Sequence, residues 1–135
     1  AYIMFDAKRE AEFLDVDFGP VMTPIGEPTR MLYSLLPWAS EQGKDIALMS
    51  AGLRLAWAEG VGLHELHGLR RAVEEAGLDW AEAQTWLGTD HWKEPTALRQ
   101  IEMTDELGLW GVPSFRLRGG GGEPDLSVWG QDRLW

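Results

Sequence analysis

Side chains able to attack, ionise or bind a metal are few in this 135-residue chain. Cysteine is absent, which removes thiolate nucleophiles, disulfide frameworks and thiolate metal sites from the chemistry these residues can perform alone. His64 and His67 lie three apart, and His91 is remote. Zinc needs three or four converging ligands, so an acidic side chain would have to complete the set, and the expectation is no metal site. The acidic pairs Glu10/Glu12 and Glu74/Glu75 have the right type for hydrolysis by paired carboxylates. That chemistry needs two groups forced together in a cleft, and these are expected to face solvent. Two stretches remain. Gly108-Leu109-Trp110-Gly111-Val112-Pro113-Ser114-Phe115 combines a helix stop, an X–Pro bond and the start of a strand. Trp129-Gly130-Gln131-Asp132-Arg133-Leu134 reads as a turn entering a helix. An aspartate there accepts orphan backbone N–H groups and suits the helix dipole.

Tryptophan stands at 38, 57, 80, 86, 92, 110, 129 and 135, an unusual density for so short a chain. Core packing and half-buried amphipathic anchoring explain most of them. The sharper alternative is that some line an aromatic ligand site. The net charge of −10 repels phosphate backbones, and Arg116 with Arg118 is too small a basic patch to reverse that, so no nucleic-acid partner is expected. No apolar run approaches the roughly 18–20 residues of a membrane span, so no membrane partner is expected either. The first nine residues lack a basic leader before their short apolar run and do not read as a signal peptide, which makes the cytoplasm the expected location.

The elements that must position these residues are mostly helices. Apolar spacing predicts a short helix from Tyr2 to Leu14, then a loop to Pro28 marked by glycine and proline. Thr29 is placed to cap a helix running towards Gln42, with Pro37 either kinking it or splitting it in two. Ile46, Met49, Leu53 and Trp57 form one stripe of a helix starting at Asp45, and Leu66, Leu69, Val73 and Ala76 form another that Gly77 stops. Asp79 is the N-cap of a short helix with Trp80, Ala83 and Leu87 inward. Pro95 fits the first turn of a last long helix with Leu98, Ile101 and Leu107 apolar, closed by Gly108. Residues 113–118 and 125–129 then alternate like two strands of an antiparallel hairpin. A lone hairpin is marginal in water, so its sheet is expected to be completed from elsewhere.

The order of five helices, Gly111-Val112-Pro113-Ser114, two strands and Gly130-Gln131-Asp132-Arg133 resembles the C-terminal part of the DsbA-like thioredoxin-fold family. The likeness is greatest to the 2-hydroxychromene-2-carboxylate isomerases and kappa-class glutathione transferases, in which a helical block is inserted into a thioredoxin fold. Asp6-Ala7-Lys8-Arg9 is similar to the motif that opens that block. The implied fold is α+β and thioredoxin-like, mostly helical with one C-terminal β-hairpin. Residues 1–108 form the inserted helical subdomain, and 109–135 form the C-terminal part of the thioredoxin-like domain, here without the first βαβ unit.

The resemblance also implies roles. Pro113 is expected to be cis, exposing the backbone of Val112 to pair with the cysteinyl part of glutathione or with a peptide. Gln131 and Asp132 hold the γ-glutamyl end, the carboxylate suiting its ammonium and the free N–H groups its carboxylate. Trp110 and Trp129 stand near the pocket of a small aromatic substrate. The family's reactive serine or cysteine follows the first strand. Ser34, Ser40, Ser50, Ser114 and Ser127 do not match that position, so no catalytic residue is expected in this chain. Three functions follow: a glutathione-dependent isomerase or transferase half-site, a DsbA-type thiol–disulfide oxidoreductase, or a thioredoxin-like module kept for binding. Glutathione is the implied cofactor. The implied partners are glutathione, the aromatic substrate, and a missing βαβ segment or another protomer, as in a homodimer.

Overall fold

The structure, a computed structural model, describes residues 2–23 and 25–130, so Gln131 and Asp132 lie outside the described residues. It forms two compact units, residues 1–92 and 93–135. The first contains α1 (Tyr2–Phe13), α2 (Glu27–Ser34), α3 (Leu36–Glu41), α4 (Asp45–Trp57), α5 (Leu66–Glu75) and α6 (Trp80–Ala83). The second contains α7 (Lys93–Ile101), a π-helical turn (Glu102–Glu106), β1 (Ser114–Leu117) and β2 (Leu126–Trp129).

The core of the first unit gathers Leu32, Leu35, Trp38, Leu48, Leu55, Leu69 and Val73, all buried. Each such aliphatic side chain contributes about 1.5–3 kcal/mol on leaving water. Helix α5 shows how the sequence sets an element. Leu69, Ala72 and Val73 face inward, and Gly77 takes the left-handed conformation at φ 73°. The Leu78 N–H then donates to the Val73 carbonyl, the Gly77 N–H donates to the Glu74 carbonyl (both 3.0 Å), and buried Leu78 follows the last turn into the core. Those bonds satisfy carbonyls the helix end would otherwise orphan. Outside, Arg54 pairs with Glu59 and Glu75, while Arg71 pairs with Glu59 at 2.7 Å and Glu75 at 2.9 Å, closing a ring between the end of α4 and α5.

Two expectations need correction. Thr29 is not the cap of α2. The helix starts at Glu27 with Gly26 as N-cap, because Pro28 fits the first turn, where its missing N–H costs nothing. Pro37, expected either to kink the stretch or to split it, splits it: α2 ends at Ser34, and Pro37 sits in the first turn of α3. The stripe assigned to α4 is only half inward: Met49 and Trp57 are partly buried against the core, while Ile46 is 75% exposed and Leu53 is also exposed. The buried set is Leu48, Ala51, Gly52, Leu55 and Ala56, an equally regular stripe of smaller residues. Small size is what the packing needs, because a Cβ at Gly52 would stand 2.8 Å from Leu32 Cδ2. In α7, the apolar Leu98 and Ile101 are exposed.

Candidate functional site

The second unit is built around one side chain. Helix α7 runs into the π-helical turn, which carries Glu102, and the Leu109 N–H returns to the Met103 carbonyl at 2.8 Å. Strands β1 and β2 pair antiparallel, with Ser114 opposite Trp129 and Leu117 opposite Leu126. From β1, Arg116 donates through Nε to Asp125 and through Nη1 to Glu102, each at 2.7 Å. Glu102 also accepts from Arg99 at 2.5 Å, and Asp125 accepts the Gly119 N–H at 3.0 Å. The Arg99 and Arg116 guanidinium groups hold the Glu102 carboxyl below the usual carboxylate range. The Gly119 N–H and then Arg116 do the same for Asp125. These hydrogen bonds favour the charged forms. A cleft of about 220 Å³ beside this network is lined by Arg99, Glu102, Met103, Phe115 and Arg116, among others. It is smaller than the roughly 300–1,000 Å³ of small-molecule pockets, and two of its arginines are already paired.

The turn that leads into β1 offers more. The Val112–Pro113 peptide bond is cis. The Pro113 carbonyl accepts the Gly130 N–H at 3.0 Å, and the Ser114 hydroxyl donates to the Gly111 carbonyl at 2.5 Å. Val112 lies between these anchors, is 87% exposed, and has no hydrogen bond to its own N–H or C=O among the described residues. Trp110 and Trp129 stack beside it, with ring centroids 4.5 Å apart and planes tilted by 36°. Trp110 is 77% exposed and Trp129 is 38% exposed, so the pair presents an aromatic surface to solvent. The turn therefore combines a backbone donor and acceptor, on Val112, that have no partner among the described residues with an apolar wall, a combination suited to an extended peptide-like ligand.

Four of the residues singled out from the sequence thus come together: Trp110, Val112, Pro113 and Trp129. Gln131 and Asp132 lie outside the described residues. The histidines take other partners. His64 and His67 flank Glu65 at 3.6 Å and 3.1 Å, and His91 packs against the Trp86 ring. No group of three metal-ligating side chains stands together among the described residues. Ser34 is buried, donating to the Met31 carbonyl at 2.7 Å and accepting the Gly88 N–H at 3.0 Å, so its hydroxyl is committed to structure. Sequence reasoning missed the roles of Gly111 and of the Glu102–Arg116–Asp125 network. A glycine directly before Val112-Pro113 was the only sign of the first, and nothing local announces a carboxylate pair split by the hairpin.

Comparison with known families gives one match: the family model described as DSBA-like thioredoxin domain covers residues 1–135. No curated protein matches the chain. No helix among the described residues is long and apolar enough to cross a membrane.

Proposed function

This chain belongs to the DsbA-like thioredoxin domain family, and from that premise we propose that it supplies the ligand-holding edge of a glutathione-dependent isomerase or transferase. The family is one of thiol–disulfide oxidoreductase and isomerase type. The observation that carries the finer reading is Val112, an exposed residue whose N–H and C=O have no partner among the described residues. The N–H and C=O of this one residue match the donor and acceptor of a cysteinyl residue, which would pair with them as one rung of an antiparallel ladder. Gln131 and Asp132 take the γ-glutamyl end. The Asp132 carboxylate suits the ammonium, and backbone N–H groups suit the carboxylate. Trp110 and Trp129 form the wall against which a small aromatic substrate lies. The serine or cysteine that acts on the thiol comes from a further segment or from another protomer. The cytoplasm, where glutathione is kept reduced, is the fitting compartment.

The family match equally favours a second reading, in which the same edge of Val112 receives a cysteine-containing peptide during disulfide exchange. A serine after the first strand of the complete protein selects the first reading, and a Cys-x-x-Cys selects the second. Calorimetric titration of the complete protein with glutathione tests the site itself. Asp132→Ala is expected to weaken binding about tenfold or more, because an ammonium left without its partner costs about 1.5–3 kcal/mol. Loss of the N-cap role expected from the sequence would cost only about 1 kcal/mol of stability. Unchanged affinity in that variant would remove Asp132 from the site.

A further inference from the structure

Gly111 has no room for a side chain. A Cβ there would stand 2.0 Å from Trp129 Nε1, 2.6 Å from Cε2 and 2.7 Å from Cδ1. The pyrrole edge of the Trp129 indole thus occupies the space a residue at 111 would need. Trp110, stacked on the same indole at 4.5 Å, restricts how far that ring can rotate. Trp129 is also the last residue of β2 and the register partner of Ser114, and its neighbour Gly130 donates to the Pro113 carbonyl. The backbone on both sides of Val112 is therefore fastened at or next to Trp129. Its ring seats against Gly111, its strand position faces Ser114, and the following amide holds Pro113.

We propose that Trp129 is a positioning residue. Its indole fills the socket left by Gly111 and fixes the path of residues 111–114, so that the Val112 N–H and C=O are held outward for an extended ligand. This rests on Val112 as the ligand edge proposed above. It assigns to Gly111 the job of admitting the ring, and to Trp110 the job of limiting its motion. A flexible turn would order on binding and lose affinity in doing so, whereas a braced one arrives ordered.

The test compares the full chain with Gly111→Ala, Trp129→Leu, Trp129→Phe and the Gly111→Ala/Trp129→Leu pair. Far-UV circular dichroism is expected to show unchanged helix in all of them. Near-UV circular dichroism is expected to lose the signature of the coupled indoles in Gly111→Ala and Trp129→Leu. Hydrogen exchange at the Gly130 amide is expected to accelerate about tenfold in both, and glutathione affinity to fall by about the same factor. The double variant should be no worse than Trp129→Leu, because both changes remove one shared contact. Trp129→Phe keeps an aromatic ring in the socket and should stay within about threefold of the parent in exchange and affinity. Unchanged Gly130 exchange in Trp129→Leu overturns the brace, whatever the ligand is. Accelerated exchange with unchanged glutathione affinity also overturns it, because the turn would then not need holding. If the parent chain binds no glutathione while exchange responds as expected, the proposed function falls and the brace stands.

Discussion

The guanidinium of Arg116 reaches two carboxylates at once, Glu102 on the π-helical turn and Asp125 at the foot of β2. Both carboxyl groups are held below their ordinary values by these hydrogen bonds, Glu102 chiefly through Arg99 and Asp125 chiefly through the Gly119 N–H. A group whose folded value is depressed contributes stability that is present above its ordinary value and lost as pH falls through the folded one. The second unit is therefore expected to loosen on acidification below about pH 4–5, the ordinary carboxylate range, before the α4–α5 core does. Amide exchange in β1 and β2 measured along an acid titration checks this. Arg116→Ala should blunt the acid response only in part, because Arg99 and the Gly119 N–H still favour the two charged carboxylates, and a hairpin insensitive to acid would show that the network contributes nothing to it.

At the scale of elements, α4 separates what its sequence decided from what only packing decided. Its limits were readable, because Asp45 opens an apolar run. Its inner face was not, because Ile46–Met49–Leu53–Trp57 and Leu48–Ala51/Gly52–Leu55/Ala56 are both regular helical stripes. Hydrophobicity favoured the bulkier one, while close approach to Leu32 required the smaller one. Leu55→Ala is thus expected to cost about 2–5 kcal/mol in chemical denaturation. Ile46→Ala should change stability by no more than about 0.5 kcal/mol. The reverse ranking would mean that the bulkier face is the packed one. The π-helical turn after α7 escaped notice for a related reason. Glu102–Glu106 has the composition of an ordinary helix end, and its extra residue per turn coincides with a tertiary bond from Glu102 to Arg116 that no local pattern encodes. The strand pair, by contrast, was legible from alternation alone, to within a residue at each end.

Considered whole, the chain carries apolar surface that its own units leave in water. Tyr2, Ile3, Phe5 and Phe13 of α1 are exposed in the first unit, and Leu117 and Leu126 are exposed on one face of the hairpin in the second. The family was legible because Gly-Val-Pro-Ser and Gly-Gln-Asp-Arg keep their order after a run of helices, and the family match over residues 1–135 bears that out. The subgroup was read from the same motifs and enters only as part of the proposal, whereas the substrate and the reactive residue were not legible, since no cysteine or matching serine marks them. Apolar patches together with a two-stranded sheet favour association with further strands or copies. Sedimentation velocity is expected to show concentration-dependent association of these 135 residues, and assays of the same sample should show no disulfide reductase or glutathione-transfer activity. Robust turnover by a monodisperse monomer would require a catalytic group in this chain that its residues do not supply in any arrangement seen among the described ones.

The central claim, that Val112 and its tryptophan wall form a ligand edge, is tested most directly by amide chemical shifts of the isotope-labelled chain during addition of glutathione. The account predicts saturable shifts at the amides of Gly111, Val112 and Ser114 and at the indole N–H groups of Trp110 and Trp129. Amides of α4 and α5 should stay in place. Saturable shifts confined to the helical unit, or no response at Val112 at any concentration, would contradict it.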